Sequence, residues 1–160
     1  MNAVNWTKIA DHNVPIGIVR FREFSTAATQ DDPQFRDWWP AMRNAGLIRG
    51  AFLLVDPSRN ATRAALEAEA QHFIDAIDSV GGLEPGDLPL SIDYEQVGQN
   101  SPNVQSCLNQ LAWVLRPIET YLQQAMRRAK RRASGSWPTA RGRSGPVRCS
   151  RAKPTTVDRY

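Results

Sequence analysis

Apolar residues come along this chain as short continuous runs separated by helical stripes. Val14-Pro15-Ile16-Gly17-Ile18-Val19-Arg20-Phe21 is a compact, β-branched run that suits a buried strand. The polar segment Ser25 to Asp31 reads as a loop. Asp32-Pro33 then supplies a helix start, an acid at the N-cap before proline at the first position. Gly46 supplies the end of that helix, and Pro40 is expected to kink or restart it. Leu47 to Val55 (LIRGAFLLV) is a second strand-like run, closed by Asp56-Pro57. Leu66, Ala70, Phe73, Ile77 and Val80 recur at threes and fours, which predicts an amphipathic helix from Ala61 to Val80, ended by Gly81-Gly82. A third strand is expected over Leu88 to Asp93. Val104, Leu108, Leu111, Leu115, Ile118 and Leu122 mark a further helix, in which Pro117 should introduce a bend or a boundary.

Strands that alternate with helices predict an α/β fold with parallel strands joined by right-handed crossovers. In barrels of this kind the reacting side chains sit at the C-terminal ends of strands. The sequence LPLSIDYE, Leu88 to Glu95, fits that position, because an apolar run ends there in two carboxylates two residues apart. Residues i and i+2 of a strand share a face, so Asp93 and Glu95 would project together and Tyr94 the other way. A rise of about 3.3 Å per residue puts their backbones roughly 6.6 Å apart. Carboxyl pairs cooperate over such distances in cleaving glycosidic bonds, and the spacing is compatible with either retention or inversion. A hard cation needs more oxygen ligands than these two acids supply.

Charge divides the chain in two. Residues 1–125 carry 9 basic and 15 acidic side chains, a net of −6, whereas residues 126–160 carry 11 and 1, a net of +10. The second segment, MRRAKRRASGSWPTARGRSGPVRCSRAKPTTVDRY, is rich in Arg, Ser, Gly and Pro and has no apolar periodicity, so it is expected to be a disordered basic tail. Residues 1–125 are expected to form the folded domain, and 126–160 the tail. Such a tail can attract polyanions by counterion release, but it lacks the interleaved aromatics or recognition helix of a specific nucleic-acid reader.

Cys107 and Cys149 lack disulfide-framework or zinc-site spacing and read as free thiols. His12 and His72 read as a loop residue and a helix-surface residue without a partnered nucleophile. No cofactor is required by any motif. Met1 to Asn13 has neither the basic start nor the apolar stretch of a secretory signal, and no run approaches the length of a membrane span.

Taken in order, several of these segments resemble glycoside hydrolase family 25, the lysozymes that cut the β-1,4 bond between N-acetylmuramic acid and N-acetylglucosamine in peptidoglycan. VNWTKIADHNVPIGIVRF is similar to the family's Trp-containing turn and helix leading into a barrel strand. DDPQF, AGLIRGAFLLVDP and EAEAQHFIDAI resemble the family's "D-x-x-F", "AGL-x-x-GAYHF" and "QA-x-x-F" segments, and LPLSIDYE its "LP-x-x-LD-x-E". The resemblance runs over about residues 3–122. It implies a partial, TIM-like β/α barrel with peptidoglycan as substrate and action at the cell wall or outside the cell. It also implies that Glu95 is the general acid and then the base, while Asp93 stays ionised to orient the 2-acetamido group or to stabilise charge at the anomeric carbon. Two nearby carboxylates in different environments can share one proton in this way.

The chain departs from the family at several points. The "GIDVS"-like strand that opens family members, with its active-site Asp, has no counterpart. Arg20-Phe21-Arg22-Glu23-Phe24 stands where members have "K-A-T-E-G", so Arg20 and Glu23 fit but the glycine does not. Met126-Arg127-Arg128-Ala129-Lys130 stands where a "P-x-I-Y-T" strand would follow. The expectation is therefore a family 25 domain truncated at both ends. A catalytically inactive remnant, or a wall- or anion-binding protein, is the competing reading, and a basic nucleic-acid-associated protein is a third.

Overall fold

A computed structural model describes residues 4–25, 27–96 and 102–134. The fold is mixed α/β. Its elements are α1 (Trp6–Asp11), β1 (Ile16–Phe24), β2 (Thr29–Asp31), α2 (Phe35–Asn44), β3 (Ile48–Val55), α3 (Arg63–Ser79), β4 (Ser91–Tyr94) and α4 (Val104–Ala133), with a 3-10 turn at Pro57–Arg59. The sheet order is β2-β1-β3-β4. β1, β3 and β4 are mutually parallel, as the alternation of strands and helices predicts, and β2 pairs antiparallel with β1.

One face of the sheet carries the core. Val19, Phe21 and Phe24 of β1 and Ala51, Leu53 and Val55 of β3 are buried with Phe35, Trp39 and Met42 of α2. α3 adds Leu66, Ala70, Phe73, Ile74 and Ile77, and α4 adds Val114, Ile118 and Tyr121. Phe21 sits at the centre, stacked on Phe73 at 5.1 Å and edge-on to Phe35 at 5.1 Å. Gly17 leaves room for α2 on this face: a Cβ there would meet the Met42 sulfur at 2.5 Å and force that side chain to move. The opposite face leaves Ile16, Ile18 and Ile48 exposed.

The burial of β1 alternates through Gly17, Val19 and Phe21, then skips to Phe24. A β-bulge is the cause: Arg20 pairs with Phe52 but Arg22 pairs with Leu53, so one extra residue is taken up in β1. The bulge moves Glu23 into the row of Leu54, off the helix-covered face, while Arg22 reaches Glu69 of α3 at 2.6 Å. A one-residue shift is enough to exchange the faces of everything beyond it.

Several expectations are corrected here. The polar segment Ser25 to Asp31 is not only a loop, because its last three residues form β2. Its Arg22↔Asp31 pairing is reinforced by a 2.5 Å ion pair. Asp32 does not cap α2: its carboxylate accepts from the Gln34 N–H at 2.9 Å, forming the turn before the helix, and the N-cap position is Gln34. Of the alternatives expected at the two prolines, a restart at Pro40 and a boundary at Pro117 are excluded, because α2 and α4 run through them. The third strand begins at Ser91 rather than Leu88; ahead of it Leu88 donates a single backbone hydrogen bond to the Arg49 carbonyl of β3 at 2.7 Å. α4 continues past Leu122 to Ala133, so Met126 to Ala133, expected in the disordered tail, are helical. Met, Arg, Lys and Ala are all good helix formers, and cations in the last turn complement the helix dipole. The rest of the expected tail, 135–160 with Cys149, lies outside the described residues.

Candidate active site

The C-terminal ends of β1, β3 and β4 lie side by side. The register makes Phe24, Val55 and Tyr94 one row and Glu23, Leu54 and Asp93 the next. Val55 belongs to the helix-side core, as does Tyr94 in part, whereas Leu54 does not. The Glu23-Leu54-Asp93 row therefore belongs to the face of the sheet away from the helices.

Glu23 is held in place. It accepts from the Ser25 hydroxyl at 2.7 Å and forms an ion pair with Arg20 at 3.3 Å. Arg59 fixes the segment after β1, donating to the Ser25 carbonyl at 2.9 Å and to the Thr29 hydroxyl while its guanidinium lies 3.9 Å from the Phe24 ring centroid. Asp56, buried at the end of β3, accepts from the backbone and the hydroxyl of Ser58 at 2.9 and 2.6 Å and so caps the 3-10 turn.

Asp93 is the third residue of β4 and is half-buried. Glu95 follows the strand and is exposed. Neither has a hydrogen-bond or ion-pair partner among the described residues, and 97–101, which follow Gln96, lie outside them. Tyr94 points the other way, packing against the core and donating its hydroxyl to the Cys107 carbonyl at 2.9 Å. Burial, with neighbouring Cys107 and the Asp56 charge, pushes the Tyr94 hydroxyl up to about 12. It is therefore a neutral donor through the whole neutral range, a latch joining β4 to the start of α4.

The strand ends thus present Glu23, Asp93 and Glu95, with Arg20 as the counterion of Glu23. Sequence reading assigned Asp93 and Glu95 but left Glu23 outside the site. Simple alternation from Phe21 would have turned Glu23 toward the helices, and only the bulge reverses it. Trp38, Trp39 and Trp113 serve the helix-side core. His72, on α3, has its Nε2 3.0 Å from both Asp31 oxygens, at the edge of the sheet that carries β2. Among the described residues no three His, Cys, Asp or Glu side chains come together as a metal site, and no helix is long and apolar enough to cross a membrane.

A mostly parallel sheet covered by helices, with Glu23 and Asp93 near the C-terminal ends of β1 and β4, places this chain in the α/β class. The model of glycosyl hydrolases family 25 matches residues 1–133, and the chain belongs to that family. Its fold is similar to that of a solved muramidase from Trichobolus zukalii, with a TM-score of 0.57 and 20% sequence identity over 74% of this chain and 55% of the muramidase. The chain thus spans about half the length of that structure. No curated protein matches it.

Proposed function

We propose that this chain is a lysozyme-like glycoside hydrolase unit that cleaves the β-1,4 bond between N-acetylmuramic acid and N-acetylglucosamine in peptidoglycan, and that its sheet is part of a β/α barrel. The observation that carries this reading is the placement of Asp93 in the Glu23-Leu54-Asp93 row, with Glu95 free just beyond it, inside a family 25 match. The muramidase named above adds support from its fold.

In this reading the Glu95 carboxyl donates its proton to the glycosidic oxygen as the bond to the anomeric carbon breaks. It then takes a proton from the water that attacks that carbon, which restores its starting state. Asp93 remains ionised and either stabilises the positive charge developing on the sugar ring or holds the 2-acetamido group against it. Glu23, fixed by Ser25 and Arg20, adds a second carboxylate beside Asp93 to the same face and favours the cationic transition state over the neutral substrate.

The competing reading, a chain that binds the wall without cutting it, is favoured by the basic end of α4, where Arg127, Arg128, Lys130, Arg131 and Arg132 are exposed or nearly so. Product analysis separates the two. The hydrolase reading predicts soluble fragments from purified peptidoglycan that end in reducing N-acetylmuramic acid. Reducing N-acetylglucosamine would contradict the bond assignment, and chain bound to intact wall with no fragments released would support the binding reading.

A further inference from the structure

Away from the acidic strand ends, a groove of about 590 Å³ lies between the chain leading into β4 and the C-terminal part of α4. Leu83, Leu88, Leu122 and Met126 give it apolar walls, and Arg128 and Arg132 line it as well. We infer that this groove is a binding site for a single-chain amphiphile with a phosphate-monoester head, a ligand class that the proposed glycan chemistry does not involve.

Three observations support this. First, the charges in the groove are unevenly satisfied. Asp87 is ion-paired with Arg49 at 2.5 Å, Glu84 with Arg43 at 2.7 Å, and Asp78 accepts from the Tyr121 hydroxyl at 2.6 Å. Arg128 and Arg132 have no acidic partner among the described residues, and Arg128 lies only loosely over the Tyr121 ring, at 5.8 Å. Second, the two arginines are four residues apart on one helix, which brings their Cβ atoms to about 6 Å and lets both forks reach one phosphate. A phosphate monoester carries nearly two negative charges and matches two arginines, whereas a carboxylate would leave one uncompensated. Third, Met126 is 61% exposed beside these cations, an apolar surface that an alkyl chain lying in the groove would cover. A groove of this volume suits a small ligand.

The site is separate from the acidic strand ends. α4 starts beside β4, where Tyr94 bonds to Cys107, and Arg128 lies 21 residues farther along the same helix, roughly 30 Å at 1.5 Å per residue. An anion held there is clear of the repulsion of Asp93 and Glu95.

Calorimetric titration of the full chain with dodecyl phosphate below its micelle concentration tests the proposal. Saturable one-site binding is expected. Arg128→Gln combined with Arg132→Gln should weaken it by at least about tenfold, and Met126→Gln by several-fold. All three positions are exposed, so circular dichroism should show the fold unchanged. Inorganic phosphate and a zwitterionic amphiphile of the same chain length should each bind at least about tenfold more weakly. Absence of saturable binding, binding undiminished in the double arginine variant, or inorganic phosphate binding as tightly as the amphiphile would each overturn it. None of these outcomes depends on peptidoglycan cleavage.

Discussion

Glu23 and Asp93 stand on one row of the sheet with only Leu54 between them. Two strand spacings of about 4.8 Å place their backbones roughly 9.6 Å apart, a gap wide enough for a sugar ring to lie over. The bulge in β1 creates this relationship, so Glu23 depends on one surplus residue for its direction. Glu23→Gln should lower the rate of glycan cleavage by about tenfold, equivalent to about 1.4 kcal/mol of barrier, with little loss of stability. Kinetics on peptidoglycan beside a thermal melt would show the split. Deleting Phe21 should instead destabilise the chain severely, because it removes the central aromatic of the core.

Arg49 and Asp87 form a buried, two-pronged ion pair, with Nε to Oδ1 at 2.8 Å and Nη2 to Oδ2 at 2.5 Å. Arg49 also lies 4.3 Å from the Trp39 ring centroid, and Asp87 accepts from the Glu84 N–H at 2.8 Å. The pair fastens the approach to β4 onto β3. Asp87→Ala leaves a charged guanidinium buried without a counterion, and the expected cost is about 3–5 kcal/mol. Urea denaturation measures it; a loss below about 1 kcal/mol would show that solvent or another group replaces the carboxylate.

Asp31 links β2 to α3 through Arg22 and His72. Burial pushes its carboxyl upward, but hydrogen bonds from His72 and Arg22 and their charges outweigh this and hold it below the ordinary value of 3.8. The unfolded chain therefore binds this proton more readily than the folded one. The stabilisation is present above about pH 4 and is lost as pH falls through the lowered folded value. Asp31→Asn should flatten the acid limb of the stability profile. Urea midpoints measured across the acid range would show this.

Tyr94 acts at the other end of the scale. Its hydroxyl is raised from 10.0 to about 12, so its stabilising contribution is complete below pH 10 and disappears as pH rises toward about 12. Tyr94→Phe removes the bond to the Cys107 carbonyl, with an expected loss of about 0.5–1.5 kcal/mol. It should also remove one late-titrating group from the tyrosinate absorbance curve. An unchanged curve would contradict this assignment.

Much of the fold was legible because burial writes itself into residue spacing. The stripe from Leu66 to Val80 gave α3 to within two residues at either end, and Leu47 to Val55 gave β3 to within one. Features that depend on partners distant in sequence were not legible. β2 is three polar residues whose strand character comes from pairing with β1 and from Arg22, and nothing local marks it. The basic end of α4 lacks an apolar stripe, so it read as tail although each of its residues tolerates a helix. At the candidate site, Asp93 and Glu95 were visible as a local pair following an apolar run. Glu23 was hidden because its direction depends on a bulge, and a bulge appears only when two strands are laid side by side.

Cleavage of purified peptidoglycan by the full chain, measured as reducing-end release beside Glu95→Gln, tests the central claim most directly. The proposed mechanism predicts measurable release by the unaltered chain and a loss of at least about 10²-fold in the variant, the usual worth of a general acid. Equal release by both proteins would contradict the role of Glu95. No release by either, with circular dichroism showing both folded, would contradict the hydrolase reading itself.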